Sequence, residues 1–394
     1  MKHPKNKDSA LKWDYKFWNT QPVLKLNEMS SNDGTIEHPK EVSAIKQDPY
    51  TLPNEFEWFK YDLNDIDNCN TIAEFLDKYY VEDSDGEFRL HYDPEFIEWM
   101  YKNSNHIALG VKLKSNGTLI GFICGKIVKT QVNKNKLDMI EVNLLCIHPR
   151  LRNKRLAPVL IKELTRQYNL LGYSKGLYTA GNYLPTPTLT SKYYHKAINV
   201  QTLYDTGFIK LDPTTQLKTV KKVHEMPKRV SNKNFKRGEL DKHLDGMYDV
   251  FNEYMKKYNL HPLFTKNEFE YIFFGNKFVV CYVIEDESGN VSDFISYYTM
   301  QSRVLKQNAK HKFINKAYLY YYTSLNENPY SLIKNILIVS QQNDIDVFNA
   351  TDIMENDVVL SELGFESGTG ILHYYLYNWQ IKPLKNLQCS LLLM

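Results

Sequence analysis

Residues 139–166 constrain the fold more than any other stretch, because an apolar strand there leads through a cationic loop directly into a helix. The helix is predicted to begin near Leu156, where apolar residues start to recur at helical spacing and Pro158 suits the first turn. The strand is predicted by a nearly continuous apolar run, typical of burial on both faces of a sheet: Ile140, Val142, Leu144, Leu145 and Ile147. This order of elements belongs to an α/β (α+β) fold.

The loop between the strand and the helix carries four cations, Arg150, Arg152, Lys154 and Arg155. They lie beside the unpaired N–H groups and the positive dipole end of the helix, which together suit a bound anion. A polyphosphate ligand and a solvated basic turn both fit this pattern. A nucleic acid fits less well, because the formal net charge is only +3. The G-x-x-x-x-G-K-S/T and G-x-G-x-x-G patterns are absent, which argues against a nucleoside triphosphate and a dinucleotide.

The length and composition indicate a globular protein with two domains or one fused double domain. The chain has 394 residues, more than one ordinary core accommodates, and 43% of them are hydrophobic. The five cysteines are scattered without a C-x-x-C pair, so we expect neither disulfides nor a zinc site. No signal peptide and no membrane-spanning apolar run is present, and we expect a soluble, cytoplasmic protein. The 29 tyrosines fit either core and strand positions or the lining of a long groove, and the core is favoured.

Two short patterns occur twice and predict an internal duplication. Residues 203–208 and 360–365 each combine an apolar helix end, a glycine suited to a left-handed cap and a phenylalanine that would open the next strand. Upstream, residues 177–182 have a counterpart in residues 347–352, and each of these segments follows a stretch with helical periodicity. We therefore divide the chain into an extended arm (1–45), a first half (46–211) and a second half (212–394), with a basic connection at 218–237.

Six motifs resemble, in order and spacing, the glycylpeptide N-tetradecanoyltransferase (N-myristoyltransferase) family. The resemblance implies two fused acetyltransferase-like (GNAT-like) halves related by a pseudo-twofold axis, with a mixed central sheet flanked by helices. It also implies transfer of a myristoyl group from myristoyl-CoA to the N-terminal glycine amine of a protein, without a metal or a prosthetic group. The motifs are YKFWNTQP at 15–22, EVNLLCIH at 141–148, LRNKRLAP at 151–158, YTAG at 178–181, DVFNA at 346–350 and YYLYNW at 374–379.

The resemblance assigns the coenzyme to the first half. Leu144 and Leu145 match the family's oxyanion-hole pair, whose donors are backbone N–H groups, so Leu144 in place of a common phenylalanine should be tolerated. Asn153 replaces the usual serine of the phosphate loop. The second half lacks such a loop and would hold the acceptor. The residues implied to bind the coenzyme are Lys16, Phe17, Trp18, Leu145, Ile147, Arg152, Asn153, Lys154, Arg155, Leu156 and Ala157.

The reaction also needs a base, because a peptide α-amine with a pKa of about 8 is mostly ammonium at pH 7. The family's base is the α-carboxylate of the last residue, here Met394, which the apolar tail 391–393 would bury and thereby make more basic. Packing alone would also account for that tail. Asn143 and Thr179 match residues that position the amine. An acyl-cysteine on Cys146 is disfavoured, because no prepared base accompanies the thiol.

The peptide groove is implied by a second set of matches. Glu82, Asp83 and Asp85 resemble an acidic lid that would favour peptides with downstream lysines, although a solvated acidic loop explains them equally well. One position departs from the family, since Thr369 stands where aspartate is usual between two glycines. This departure weakens the expectation of a basic substrate residue. The other matching groove residues are Phe88, Tyr92, His195 and Ser302.

Two other functions remain open at this point. A catalytically silent acyl-CoA or lipid-binding module would keep the same fold, and a short-chain N-acetyltransferase would differ in the depth of its acyl pocket. Each buried methylene contributes about 0.8 kcal/mol, so pocket depth decides the acyl length. We expect the partners to be myristoyl-CoA and peptides with an N-terminal glycine, with no nucleic acid and no transmembrane segment, and we expect a monomer.

Overall fold

The computed structural model describes residues 4–83, 85–306 and 309–393. In these residues the strands are β1 (Phe56–Tyr61), β2 (Phe88–His91), β3 (His106–Leu113), β4 (Leu119–Val132), β5 (Asn135–Ile147), β6 (Gly176–Ala180), β7 (Leu189–Ala197), β8 (Phe235–Arg237), β9 (Leu260–Pro262), β10 (Val279–Glu285), β11 (Val291–Val304), β12 (Phe313–Tyr322), β13 (Val347–Thr351) and β14 (Glu366–Tyr377). The α-helices are α1 (Lys7–Ala10), α2 (Ile66–Tyr79), α3 (Pro94–Tyr101), α4 (Leu156–Leu170), α5 (Val200–Asp205), α6 (Leu217–Val223), α7 (Leu240–Met255), α8 (Lys266–Phe273), α9 (Pro329–Gln342) and α10 (Asn356–Leu360).

One mixed sheet of fourteen strands joins the two halves. Its main path runs β1-β3-β4-β5-β6-β14-β7-β13-β12-β11-β10-β8, with β2 paired to β11 and β9 paired to β4. At the centre the halves exchange strands, because β14 pairs with β6 of the first half and β7 pairs with β13 of the second. Outward from this centre, β6-β5-β4-β3 mirrors β13-β12-β11-β10, as the predicted pseudo-twofold requires. Each half therefore covers a strand edge of the other.

The duplicated unit predicted from the sequence is present, with one error in its order. β5, α4 and β6 in the first half correspond to β12, α9 and β13 in the second, and both strand pairs are parallel. The two predicted caps are confirmed, since Gly207 and Gly364 have φ values of 80° and 73°. The predicted strand after Phe208 is wrong. β7 precedes α5 instead, because that strand is needed to pair across the centre with β13 and β14.

The arm and the basic connection both pack onto the sheet. Gly34 forms a β-bridge with Gln380, and the Tyr15 hydroxyl donates to the carbonyl of Tyr183 at 2.5 Å, so the arm lies along the centre of the molecule. The description of residues 218–237 as a connection alone is wrong, since they contain most of α6 and the edge strand β8. β8 pairs with β10 because Phe235 has an apolar surface to bury there.

The core lies on both faces of the sheet and contains much of the aromatic content. Its fully buried tyrosines include Tyr101, Tyr168, Tyr297, Tyr321, Tyr322 and Tyr375. All five cysteines are buried free thiols. No helix among the described residues is both long and apolar enough to cross a bilayer.

Candidate functional site

The first feature of the site is an opening between β5 and β6. These parallel strands pair only at Ile140 with Gly176 and at Glu141 with Leu177, and beyond those pairs they diverge. The diverging part of β5 carries residues 143–147, where the sequence placed the reacting carbonyl. Backbone groups that face such an opening have no ladder partner on that side, so they can bind a ligand.

A β-bulge lies at the mouth of this opening. In the ladder of β5 with β4, Asn143 pairs with Cys124 and Cys146 pairs with Phe122, so Leu144 and Leu145 are both left without a ladder partner. Leu144 has a φ of 56°, a left-handed conformation that is unfavourable for a branched side chain. Its N–H donates to the Asn143 side-chain oxygen at 2.9 Å. The bulge thus takes Leu144 and Leu145, the predicted oxyanion pair, out of the hydrogen-bonded ladder with β4.

The cationic loop ends in an uncapped helix. The N-cap residue of α4 is Arg155, in left-handed conformation, and it makes no side-chain capping hydrogen bond. The first-turn N–H groups of Leu156 and Ala157 consequently have no acceptor from a capping side chain. Lys154 and Arg155 are exposed, whereas the Arg152 guanidinium binds the carbonyls of Ile147 and Tyr79 at 3.1 and 2.5 Å. Arg152 therefore holds the loop to the strand, and the other cations face outward.

The arm reaches the same opening. The Trp18 ring stacks on Tyr178 of β6 with centroids 5.5 Å apart, and Tyr178 stacks in turn on Tyr375 of β14 at 4.9 Å. Phe17 contacts Trp18 edge-on, while Lys16 is exposed and pairs loosely with Asp14 at 4.0 Å. The predicted coenzyme residues of the arm and of the cationic loop thus come from segments far apart in sequence that both border β5 and β6.

The C-terminal segment runs into the centre of the molecule. The Cys389 carbonyl accepts from the Met354 N–H just beyond β13, and the Leu392 N–H donates to the Tyr321 hydroxyl of β12 at 3.3 Å. Residues 389–392 therefore lie across the ends of β12 and β13, which pair only over three residues and then diverge. Leu391 is buried, as predicted for the tail. Met394, the predicted base, lies outside the described residues.

The predicted groove residues share one face of the second-half sheet. Strand register places His195 opposite Asn349 and Ser302 opposite Ile314, and directly opposed residues project to the same side. On this face Ser302 is 1% exposed and Phe88 is covered by the Phe208 ring at 5.5 Å. Ser302 therefore lies beneath the surface, whereas His195 is only partly buried. Tyr92 is buried beside Tyr80, with ring centroids 5.7 Å apart.

The imidazole of His195 has a defined tautomer. The Asn349 side-chain nitrogen donates to the Ala317 carbonyl at 3.0 Å, so its oxygen accepts from His195 Nδ1 at 2.6 Å. Burial lowers the pKa of His195, which keeps the ring neutral and leaves Nε2 as a hydrogen-bond acceptor. A Cβ on Gly368 would lie 2.2 Å from that Nε2 atom. Thr369, the next residue, is exposed on a bulge opposite Tyr193.

The carboxylates of the acidic loop are engaged locally. Asp83 accepts from the N–H groups of Glu87 and Phe88 at 2.7 and 2.8 Å, and Glu82 pairs with Arg89. Asp85 lies 3.4 Å from Lys210. These carboxylates are thus compensated by backbone N–H groups and by cations elsewhere in the protein.

Cys146 lacks the features of a nucleophile. Burial raises the pKa of its thiol to about 12, so it is protonated near neutral pH. The nearest histidine in sequence, His148, accepts a hydrogen bond from the Arg150 N–H at Nδ1 and serves as the cap of a short helical turn. The structure therefore supports the low weight given to an acyl-cysteine.

Sequence reasoning missed three residues that the structure brings to the site. Tyr80 is half-buried against Tyr92, Asn349 orients His195, and Lys316 of β12 lies on the same face as His195. The motif at 346–350 already contained Asn349, and a search for polar residues in apolar strands would have found both Asn349 and Lys316. Tyr80 carries no local signal, because its position depends on the end of α2.

Thr179 and Asn143, the predicted amine-positioning residues, lie on the two diverging strands. Thr179 is opposite Tyr374 in the ladder of β6 with β14, and Asn143 precedes the bulge on β5. They lie on opposite sides of the opening, and their role in positioning the amine stays a prediction. The carboxylate of Met394, which they would face together with the amine, lies outside the described residues.

Comparison with known families gives the same answer for both halves of the chain. Residues 35–191 match the family model described as "Myristoyl-CoA:protein N-myristoyltransferase, N-terminal domain", and residues 205–390 match the corresponding C-terminal domain. The gap between these two matches, residues 192–204, contains most of β7 and nearly all of α5. The two models together span most of the sequence.

Individual relatives agree with the family models. The chain is 37% identical over 386 residues to a glycylpeptide N-tetradecanoyltransferase of Drosophila melanogaster, covering 96% of this chain and 81% of that protein. A protein of the same name from Plasmodium falciparum (isolate 3D7) is 37% identical, with 95% and 92% covered. A crystal structure of Saccharomyces cerevisiae N-myristoyltransferase with bound myristoyl-CoA superposes with a TM-score of 0.88 at 32% identity, covering 94% of each chain.

Proposed function

The chain belongs to the myristoyl-CoA:protein N-myristoyltransferase family, and from this premise we propose how its own residues carry out the transfer. It is an acyltransferase whose acyl donor is myristoyl-CoA, with no prosthetic group. The acceptor in our proposal is the N-terminal glycine amine of a substrate protein. The amine nitrogen attacks the thioester carbonyl, a C–N bond replaces the C–S bond, and coenzyme A leaves as the thiol after the amine has lost its proton.

The coenzyme phosphates would bind at the start of α4. Lys154 and Arg155 supply charge, while the amides of Leu156 and Ala157 supply donors that no capping side chain uses. Asn153, also in left-handed conformation, turns the loop so that its backbone can approach the phosphates. Lys16, Phe17 and Trp18 would cover the coenzyme from the arm.

The observation that most supports the proposed catalysis is the β-bulge at Leu144 and Leu145. A thioester carbonyl placed in the opening between β5 and β6 would accept from the N–H groups of Leu144 and Leu145 as negative charge develops on its oxygen. The Asn143 side-chain oxygen now accepts from the Leu144 N–H, and so marks the place where a carbonyl oxygen would sit. The amine would lose its proton to the carboxylate of Met394, brought inward by residues 389–392, while Asn143 and Thr179 orient it.

The peptide would lie along the face that carries His195. Its Nε2 atom accepts hydrogen bonds and would bind a substrate hydroxyl or N–H, with Tyr92 and Phe88 forming apolar walls and Ser302 lying beneath them. Glu82, Asp83 and Asp85 would close over the peptide, and Thr369 would border it. The domain boundaries, the monomeric state and the cytoplasmic location stay predictions from the sequence.

One assay tests the reaction against its alternatives. Acetyl-, lauroyl- and myristoyl-CoA, each radiolabelled in the acyl group, are offered with a peptide that begins with glycine and with its alanine-initiated twin. We expect transfer only to the glycine peptide and mainly from the myristoyl donor. Binding of myristoyl-CoA without any transfer would indicate a silent module, and efficient use of acetyl-CoA would indicate a short-chain acetyltransferase.

A further inference from the structure

The segment 218–237, which the proposed reaction does not use, holds the excess positive charge of the chain. It contains eight of the 49 lysines and arginines but only one of the 46 acidic residues, Glu225. The formal charge of this segment is therefore +7, and that of the remaining chain is −4. Cations at this density attract a polyanion, because their fields add over a Debye length of about 8–10 Å at physiological ionic strength.

The segment separates its apolar side chains from its cations. Leu217 and Val220 of α6 pack against a buried cluster, and Met226 and Val230 of the loop after α6 pack against the main core. The lysines of α6 recur at spacings of three and four, so they share the helix face that points to solvent. Together with cations of the loop they form an exposed surface, which we call the basic strip: Lys218, Lys221, Lys222, Lys228, Arg229 and Lys233.

A cleft connects the helix and the loop of the basic strip. Its volume is about 680 Å³, and its walls include all three lysines of α6 and Gln341 at the end of α9. The adjacent Gln342 side chain donates to the Lys228 carbonyl at 3.3 Å, and further back on α9 the Asn335 side chain accepts from the Ser231 N–H at 3.3 Å. The loop therefore continues from the cleft along α9, and the basic strip is continuous.

The protein does not neutralise the cations of the basic strip. None of the six belongs to an ion pair within 4.0 Å in the described part of the chain. Lys221 donates to the Gln201 side-chain oxygen at 2.7 Å, and this partner is uncharged. Two exposed carboxylates, those of Glu225 and Asp344, line the cleft. Six cations against two carboxylates leave a net charge of +4, whose mutual repulsion a bound polyanion would relieve.

An exposed apolar residue at the basic strip favours a bilayer over a nucleic acid. Val223 follows Lys222 at the end of α6 and is 73% exposed. Beside lysines that bind headgroup phosphates, such a side chain can enter the apolar boundary of a membrane. Proteins that bind single-stranded nucleic acids stack the bases on aromatic rings. The only phenylalanine, tyrosine or tryptophan of residues 218–237 is Phe235, which is 7% exposed.

We propose that the basic strip docks on the anionic surface of a phospholipid bilayer. Its lysines and arginine bind headgroup phosphates, and Val223 enters the interface. The cluster beneath the strip, to which Leu217 and Val220 belong, also contains Phe88, a proposed wall of the peptide groove. A single myristoyl chain holds a protein at a membrane only weakly, so docking would bring the acylated product to a bilayer before its release. This advantage rests on the proposed function, whereas the docking itself does not.

Co-sedimentation with vesicles tests the docking. The full chain, without substrates, is mixed with vesicles of phosphatidylcholine alone or of phosphatidylcholine with about 30% phosphatidylserine. We expect the partition coefficient to be at least about tenfold higher on the anionic vesicles. This preference should fall as the salt concentration rises from about 50 to about 500 mM, because screening weakens the attraction. A quadruple variant should lose most of the preference: Lys218→Gln, Lys222→Gln, Lys228→Gln and Arg229→Gln.

A second quadruple variant is the matched control. It removes the same charge from exposed lysines in other parts of the chain and should keep the preference for anionic vesicles. Without vesicles, kcat/KM for acyl transfer should be the same in the wild type and in both variants, because none of the altered residues has a role in the proposed reaction. The control substitutions are Lys60→Gln, Lys114→Gln, Lys134→Gln and Lys382→Gln.

Three results would contradict a part of this account. Equal partition to neutral and anionic vesicles, or an equal loss in the two quadruple variants, would overturn the docking. Binding to transfer RNA that depends on the basic strip, without binding to vesicles, would also overturn it and would assign the surface to a nucleic acid. Absence of acyl transfer in every form of the protein, with the vesicle preference intact, would contradict the proposed function and leave the docking supported.

Discussion

The two halves repeat one design but use it differently. In the first half the strands β5 and β6 diverge and the start of α4 is uncapped beside exposed cations. In the second half β12 and β13 diverge in the same way, but residues 389–392 of the chain itself lie across their ends. In our proposal the first half presents its opening to a ligand, whereas residues 389–392 lie across the corresponding opening of the second half.

The starts of the two corresponding helices, α4 and α9, also differ in whether the protein itself supplies an acceptor for their N–H groups. Before α9 the buried carboxylate of Asp293 accepts from the N–H groups of Leu325, Asn326 and Glu327 at 2.6, 3.0 and 2.8 Å. Asn328 then caps the helix, accepting from the Ser331 N–H at 2.8 Å. An internal carboxylate thus occupies the anion position of the second half, whereas α4 of the first half starts without a side-chain cap, at the place where we propose that the coenzyme phosphates bind. In our proposal this difference separates coenzyme binding from peptide binding.

The largest effect should come from moving the chain's terminus. Deleting Leu393 and Met394 removes the proposed base, so kcat should fall by about 10²- to 10⁴-fold. The dissociation constant for myristoyl-CoA should stay nearly the same, because we propose that the coenzyme binds in the other half. Single-turnover kinetics and equilibrium binding measure the two quantities.

Two further variants sharpen that experiment. Appending one glycine after Met394 displaces the carboxylate while keeping every side chain, and should also abolish most of the turnover. Leu387→Ala alters an exposed side chain of the same segment and should leave kcat unchanged. Near-normal turnover in the truncated enzyme would rule out the terminal base.

Removing cations from the loop before α4 should weaken coenzyme binding and leave kcat nearly unchanged. The double substitution Lys154→Met and Arg155→Met removes two exposed cations at the start of α4, and KM for myristoyl-CoA should rise by about 10- to 100-fold. The control pair Lys221→Met and Lys222→Met removes the same charge from the exposed face of α6. Equal effects of the two pairs on KM would mean that only overall charge matters.

Removing the Asp293 carboxylate, at the anion position of the second half, should lower stability and leave catalysis nearly unchanged. Asp293→Ala removes the buried acceptor of three backbone N–H groups, and the free energy of unfolding should fall by about 1–3 kcal/mol. Denaturant unfolding measures the change, with the exposed Asp212→Asn as a control. An unchanged unfolding midpoint would show that the carboxylate is not a structural substitute for a ligand.

The smallest effect is expected at Cys146, which lies on the diverging part of β5. Because burial raises its thiol pKa to about 12, it is neither a thiolate nor a base at pH 7. Cys146→Ala should change kcat/KM by less than about threefold, apart from a small packing effect. Mass spectrometry of the quenched enzyme should show no acylated cysteine, and a trapped acyl-enzyme would contradict the direct transfer.

Local patterns in the sequence predicted the elements around the opening well. The apolar run of β5, the start of α4 at Leu156 and the glycine caps at Gly207 and Gly364 depend on neighbours in sequence, and all are observed. The bulge at Leu144 was not predicted from composition, because an apolar run does not show where the ladder with β4 skips two residues. The strand predicted after Phe208 failed because its position depends on pairing across the two halves.

The sequence by itself determined the family, the cationic loop and the repeated unit, because these are written in residue order and spacing. The tertiary structure decided what the repeat became. It set Asp293 against a loop thirty residues further along, brought residues 389–392 between β12 and β13, and placed Lys316 on the same face as His195. Each of these depends on the register of strands that are distant in sequence, and register is fixed by packing across the whole sheet.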